Sequence, residues 1–143
     1  MARKKLQHSA LLKRLLPLVC GATMTAQMAI GEPLIYECAI QNQESRGWIE
    51  PQYVFRIDTD PLRADHATEN YGFKPTRIRT DRKGHYRFYW QNKPKAKNGQ
   101  EFWVDYFARI DPKTKAIRLR GVFVLRWIAN PPEAFGECTL IAK

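Results

Sequence analysis

The sequence predicts an all-β fold, a single antiparallel meander of about eight strands forming a small barrel or sandwich whose first and last strands are joined by a disulfide. Three observations predict it. Apolar residues recur at every second position through most of the chain, as in Tyr86, Phe88 and Trp90 or Phe102, Val104, Tyr106, Ala108 and Ile110, which is the period of a half-buried strand. Turn-forming pairs punctuate those runs. Two cysteines, Cys38 and Cys138, bracket nearly the whole domain.

In chain order, residues 1–31 come first and read as a cleavable signal peptide. They carry Arg3, Lys4, Lys5, Lys13 and Arg14 with no acid, then run apolar from Leu15 to Ile30, the basic and hydrophobic regions of an export signal. Ala29 and Gly31 suit a cut before Glu32, and Ala26 offers an earlier one. The apolar run is shorter than a spanning helix needs and is broken by Pro17, Thr23, Thr25 and Gln27; an uncleaved anchor is the competing reading. Cys20 follows Pro17-Leu18-Val19, which lacks the small residues of a lipid-attachment site, and reads as an ordinary cysteine of the hydrophobic region.

Residues 32–143 form one all-β domain. The expected strands lie near 34–41, 48–58, 62–67, 75–80, 85–91, 100–110, 115–127 and 135–142. Tyr53, Phe55 and Ile57 alternate in the second; Ile117, Leu119, Gly121, Phe123 and Leu125 alternate in the seventh, with Arg118, Arg120 and Arg126 on its wet face. Pro51 marks an edge or bulge, because proline cannot donate to the ladder. Asp60-Pro61, Asp81-Arg82-Lys83-Gly84, Asn98-Gly99 and Asp111-Pro112 sit where antiparallel strands reverse. No segment beyond the leader carries a helical stripe, and no linker or repeat divides the domain.

Cysteine usage bears on compartment. An exported chain with cysteines near both ends pairs them, since the oxidising space outside the cytoplasm lets the bond persist; two free thiols are the alternative. Bonding requires the first and last strands to approach within about 4.4–6.8 Å between α-carbons. A closed barrel meets that condition directly, and a two-sheet sandwich meets it with the bond crossing between sheets. Two distant cysteines with His66 and His85 make a poor metal set. No cofactor is implied.

Charge narrows the partner. The chain carries 24 Lys and Arg against 14 Asp and Glu, a net +10; five of those bases lie in the leader, leaving 19 against 14, or +5. Between residues 74 and 97 stand Lys74, Arg77, Arg79, Arg82, Lys83, Arg87, Lys93, Lys95 and Lys97 against the single acid Asp81, interleaved with Tyr86, Tyr89 and Trp90. Cations neutralise phosphates and aromatic faces stack, so the stretch reads as a platform for an anionic polymer. A solvated strand face with Tyr86 and Trp90 turned into the core is the competing reading. The anion-binding candidates are Lys93, Lys95, Lys97, Arg82, Lys83 and Arg87, with the loop 93–97 foremost and Arg118 and Arg120 secondary because they lie on another strand. Outside the cytoplasm the available anions are lipid headgroups, lipopolysaccharide and acidic glycans; no nucleic-acid partner is expected, and no transmembrane segment follows the leader.

Catalysis finds little support, since no nucleophile, base and orienting group share a visible spacing. His66 is expected at the surface and His85 facing solvent. Trp103 and Phe107 share the face opposite Phe102, Val104 and Tyr106, and a second covered face is the favoured explanation over an exposed patch.

The run Tyr36-x-Cys38, Asn42, Gly47-Trp48-Ile49, Phe88-Tyr89-Trp90, Asn98-Gly99-Gln100, Tyr106-Phe107-Ala108 and Gly136-x-Cys138 resembles a group of small exported, disulfide-closed β-domain proteins of Gram-negative bacteria with no assigned activity. More remotely it is similar to the periplasmic inhibitors of C-type lysozyme, small β-barrels that also open on a Tyr-x-Cys strand. Their Ser-Gly-x-Arg-Tyr type of loop is absent here, Arg82-Lys83-Gly84-His85-Tyr86 being a faint echo, and a basic domain is repelled by a basic lysozyme. These observations lead to an exported β-domain that binds an unidentified envelope protein, or an anionic polymer or lipid surface. The alternatives are a small apolar-ligand-binding barrel and a lysozyme-inhibitor-like protein.

Overall fold

The computed structural model describes residues 31–42, 46–125 and 130–142. Eight antiparallel strands follow one another and close into a barrel: β1 (Leu34–Asn42), β2 (Gln52–Thr59), β3 (Leu62–Thr68), β4 (Tyr71–Thr80), β5 (Tyr86–Asn92), β6 (Val104–Ile110), β7 (Ala116–Phe123) and β8 (Glu133–Ala142). Of the two architectures left open by the sequence, the barrel is the one formed. The signal-peptide reading falls, apart from Gly31, on residues outside those described, as do Arg126 and residue 127 of the expected seventh strand. No helix of the described residues is long and apolar enough to cross a membrane.

Closure rests on β8 returning to β1, where Cys38 stands directly opposite Cys138 and the two are disulfide-bonded. Their α-carbons are 3.9 Å apart, closer than the expected range. The backbone N–H of Cys138 points away from β1 and donates to the Lys115 carbonyl at 2.8 Å, so the cysteines form the close, non-hydrogen-bonded kind of cross-strand pair. Next to them, Gly136 lies so near β1 that a Cβ there would meet the Ala39 carbonyl oxygen at 2.1 Å. Only glycine permits that approach.

Period-two alternation places the inner faces as expected, except that β7 stops at Phe123 and Leu125, expected to continue its inward set, is exposed beyond the strand end. Tyr36, Cys38 and Ile40, Tyr53, Phe55 and Ile57, Phe88 and Trp90, Val104, Tyr106, Ala108 and Ile110, then Ile117, Leu119 and Phe123 are all buried. Their rings fill the barrel: Phe55 and Phe88 have centroids 4.4 Å apart, and Trp90 stacks on Tyr106 at 5.3 Å. Burial of such rings supplies most of a small domain's stability.

The two ends of the barrel differ. At one end the connections are tight: Gly84, at φ 82°, donates its N–H to the Asp81 carbonyl at 2.9 Å, and Lys115 donates to the Asp111 carbonyl at 2.8 Å. The other end carries the longer connections after β1, β5 and β7. There several expected boundaries shift. Trp48 and Ile49, expected within the second strand, precede it and are buried as a plug, Trp48 meeting Phe123 edge-on at 5.2 Å while its carbonyl accepts from the Tyr106 hydroxyl. Pro51 stands just before β2, and its carbonyl accepts the Ile40 N–H at 2.9 Å. β6 begins at Val104 and not at residue 100, because Asn98-Gly99 reverses a small excursion of its own, closed by a bridge between Lys95 and Glu101.

β4 begins at Tyr71, earlier than expected, yet it pairs with β5 only from Arg77 to Thr80. Its first half pairs with β3 alone. Pro75, which has no N–H to offer, lies where the strands part, and the result is a seam in the barrel wall.

Candidate functional site

The stretch 74–97 does not form one basic patch. Arg82 and Lys83 occupy the tight turn between β4 and β5, where the Lys83 N–H is held by the Asp81 carboxylate at 2.9 Å. Lys93, Lys95 and Lys97 sit at the opposite end. Lys93 faces Glu101 at 3.6 Å, Lys95 is paired through its backbone to the same residue, and the Lys97 N–H donates to the Arg46 carbonyl at 3.1 Å. A barrel length separates the two groups. Of the candidates, only Arg87 lies on the wall between them.

Register assembles a different surface there. On the outer face of β4 to β7, Arg79 is opposite Arg87, Arg87 opposite Arg109, and Arg109 opposite Arg118. The neighbouring row on the same face runs Arg77, Tyr89, Phe107, Arg120. These two rows line a concavity of about 510 Å³. Arg118 and Arg120, set aside from sequence because they lie on another strand, therefore share one surface with Arg87.

Four arginines in directly opposed positions on four adjacent strands work against the sheet, since like charges facing each other across strands are destabilising. Part of that repulsion is offset locally. Arg87 Nε donates to the Asp81 carboxylate at 2.9 Å, Arg118 pairs with Glu133 and lies over the Phe135 ring, and Arg77 lies over the Tyr89 ring at 5.5 Å. Among the described residues, Arg79, Arg109 and Arg120 close no ion pair, although Glu133, engaged by Arg118, stands opposite Arg120 across β7 and β8. Arginine's planar fork is suited to bidentate capture of phosphate or carboxylate.

The rim is acidic and fixed. Partial desolvation draws the Asp81 carboxyl upward, but backbone N–H donors from His85 and Lys83 and the side chains of Arg87 and His85 outweigh it and hold the group well below the usual carboxylate range. His85, expected to face solvent, is instead held between Asp81 at 3.1 Å and Asp111 at 3.7 Å. Asp105 accepts from the Tyr89 hydroxyl at 3.0 Å and from Gln91 at 2.9 Å, and the first of these bonds raises the Tyr89 phenol above its ordinary value.

Phe107, in the centre of the second row, is 44% exposed, and Trp103, just before β6, is 52% exposed. The covered second face expected for them is absent among the described residues, because a barrel of this size buries only one side of its wall. Phe107 contacts Tyr89 with ring centroids 5.2 Å apart.

His66 also departs from expectation. It is 2% exposed and turned inward, with its ring 4.4 Å from Trp90 and its Nε2 3.1 Å from the Tyr71 hydroxyl. Burial pushes the imidazole down to about 4, and the neighbouring Lys74 ammonium adds to the effect; burial likewise pushes the Tyr71 phenol up to about 12. Among the described residues, His66 Nδ1 and Trp90 Nε1 are buried without a well-formed hydrogen bond, though the Lys74 backbone lies close to the first and the Tyr71 hydroxyl close to the second. Both residues line a smaller recess of about 230 Å³ at the seam between β4 and β5. Among the described residues, no group of three or more His, Cys, Asp or Glu side chains is placed to hold a metal ion.

No family model matches the chain, and neither the curated proteins nor the solved structures yield a match.

Proposed function

We propose that this chain is an exported binding domain of the bacterial cell envelope that takes an anionic partner on the outer face of β4 to β7. The observation that carries the reading is the ladder Arg79–Arg87–Arg109–Arg118, an arrangement that costs the free sheet stability and that a bound anion relieves. The Cys38–Cys138 disulfide fits a non-cytoplasmic location, and the leader with its basic and apolar regions supports export to the periplasm or beyond. An apolar-ligand carrier would need interior space that Phe55, Phe88, Trp90 and Tyr106 occupy. The domain acts by binding and not by chemistry.

The test compares two triple variants against heparin and against vesicles of acidic and of neutral lipid. Replacement of Arg79, Arg109 and Arg120 by Gln should abolish most of the binding, while replacement of Lys93, Lys95 and Lys97 should weaken it only modestly. Binding should fall steeply with salt as exposed charges are screened over about 8 Å at physiological ionic strength. Affinity that ignores salt, or that depends on the lysine triple and not the arginine triple, would overturn the reading.

A further inference from the structure

The two rows on the outer face are unlike. One is arginine throughout, whereas the other has arginine only at its ends and the Tyr89–Phe107 pair between them. A surface built only to attract charge has no use for two rings at its centre. A cross-strand aromatic pair does stabilise a sheet, and that accounts for the contact between the rings, though not for the exposure of Phe107 beside the arginine row. Arg77 already lies over Tyr89, so Phe107 is the ring left open to a ligand.

Dimensions and charge limit what fits. Strands lie about 4.8 Å apart, so the arginine row spans about 14 Å, and the two rows on one face lie about 7 Å apart along the strands. Six arginines line the concavity, and Asp81, Asp105, Asp111 and Glu133 stand beside them. The surplus, six against four, is two positive charges, which one phosphate monoester at roughly −1.5 to −2 would neutralise, as would a pair of carboxylates. A ligand of that size with an apolar ring face between its charges is a sugar. Nucleobases also stack, but a disulfide-bonded domain outside the cytoplasm meets glycans.

We infer that the anion bound on this face is an acidic saccharide, one pyranose ring resting on Phe107 and its phosphate or carboxylate groups held by Arg79, Arg109 and Arg120. The inference rests on the anion-binding reading above and adds the ring to it.

Four probes separate the two claims: a bisphosphorylated glucosamine disaccharide, a hexuronate tetrasaccharide, a neutral disaccharide, and inorganic polyphosphate, which has charge and no ring. Calorimetric titration should show at least one acidic saccharide binding more than roughly tenfold tighter than the neutral one. Phe107→Ala should cost that saccharide roughly tenfold, in line with the loss of one stacked ring, and Phe107→Trp should restore it. Polyphosphate should bind the wild type and the Phe107→Ala variant alike. Which acidic saccharide responds tells phosphate from carboxylate chemistry. If polyphosphate binds while Phe107→Ala leaves every saccharide unchanged, the sugar inference fails and anion binding stands. If no anion binds the wild type, both fail.

Discussion

His66 shows how a single side chain can be misread and then become informative. Its neighbours Asp65 and Glu69 suggested a wet strand end, yet strand parity put Ala64 and His66 on the inner face with Phe55 and Trp90. Nothing in the local composition distinguishes a buried histidine from an exposed one. The consequence is a pH dependence of stability. The folded imidazole titrates near 4 and the free one at 6.5, so the unfolded chain takes up a proton first as pH falls. The stabilising contribution is whole above pH 6.5, declines through the interval, and is gone once the folded group is protonated near pH 4. After allowance for solvent close to the seam it amounts to something on the order of 2 kcal/mol. Urea midpoints at pH 7.5, 5 and 4 should therefore fall in the wild type and stay nearly level in His66→Phe, a substitution that keeps the ring packing. An equal decline in both would refute the assignment. Asp81 acts in a lower window, since its depressed carboxyl gives up its contribution only as pH falls below the ordinary carboxylate value of 3.8.

At the scale of elements, strands and tight turns were legible because period-two alternation and Asp-Pro or Asp-x-x-Gly punctuation are local signals. Register was not. Arg87, Arg109 and Arg118 are far apart in the chain, and only the pairing of β5 with β6 and β6 with β7 sets them side by side. Reading the basic character as a linear stretch favoured Lys93, Lys95 and Lys97, whose loop leaves the wall at the end of β5. The misplaced second strand has a similar origin, since Trp48 and Ile49 are as apolar as strand residues but are buried as a plug across the barrel end. The arginine ladder leads to an opposed pair of effects in one variant. Arg109→Gln removes a like charge from between Arg87 and Arg118, so thermal unfolding in the absence of ligand should be unchanged or later, with a gain of up to about 0.5–1 kcal/mol. The same variant should bind heparin several-fold more weakly. Loss of both stability and binding would indicate that Arg109 serves the fold and not a ligand.

Considered whole, the molecule is a barrel closed twice, by hydrogen bonds between β1 and β8 and by the bond between Cys38 and Cys138. That closure could be read from two cysteines at the ends of an alternating chain, because only an approach of first and last strands satisfies both. The choice between barrel and sandwich could not, since each brings those strands together. The bond encloses a separation of 100 residues, for which restriction of the unfolded chain is worth about 4–5 kcal/mol in the entropic account and often less in practice. Replacing both cysteines by serine should lower unfolding stability by about 2–5 kcal/mol, and native protein should show no thiol reactive toward maleimide at Cys38 or Cys138. Filled by its own rings, the barrel leaves its outer wall as the surface on offer. The most direct measurement of that claim is a residue-resolved NMR titration of the 32–143 domain with heparin, following backbone amides and arginine Nε–H groups. The largest shifts should fall on Arg79, Arg109, Phe107 and Arg120 and their neighbours on β4 to β7. Shifts centred on Lys93 to Lys97, or spread evenly over every exposed cation, would contradict the account.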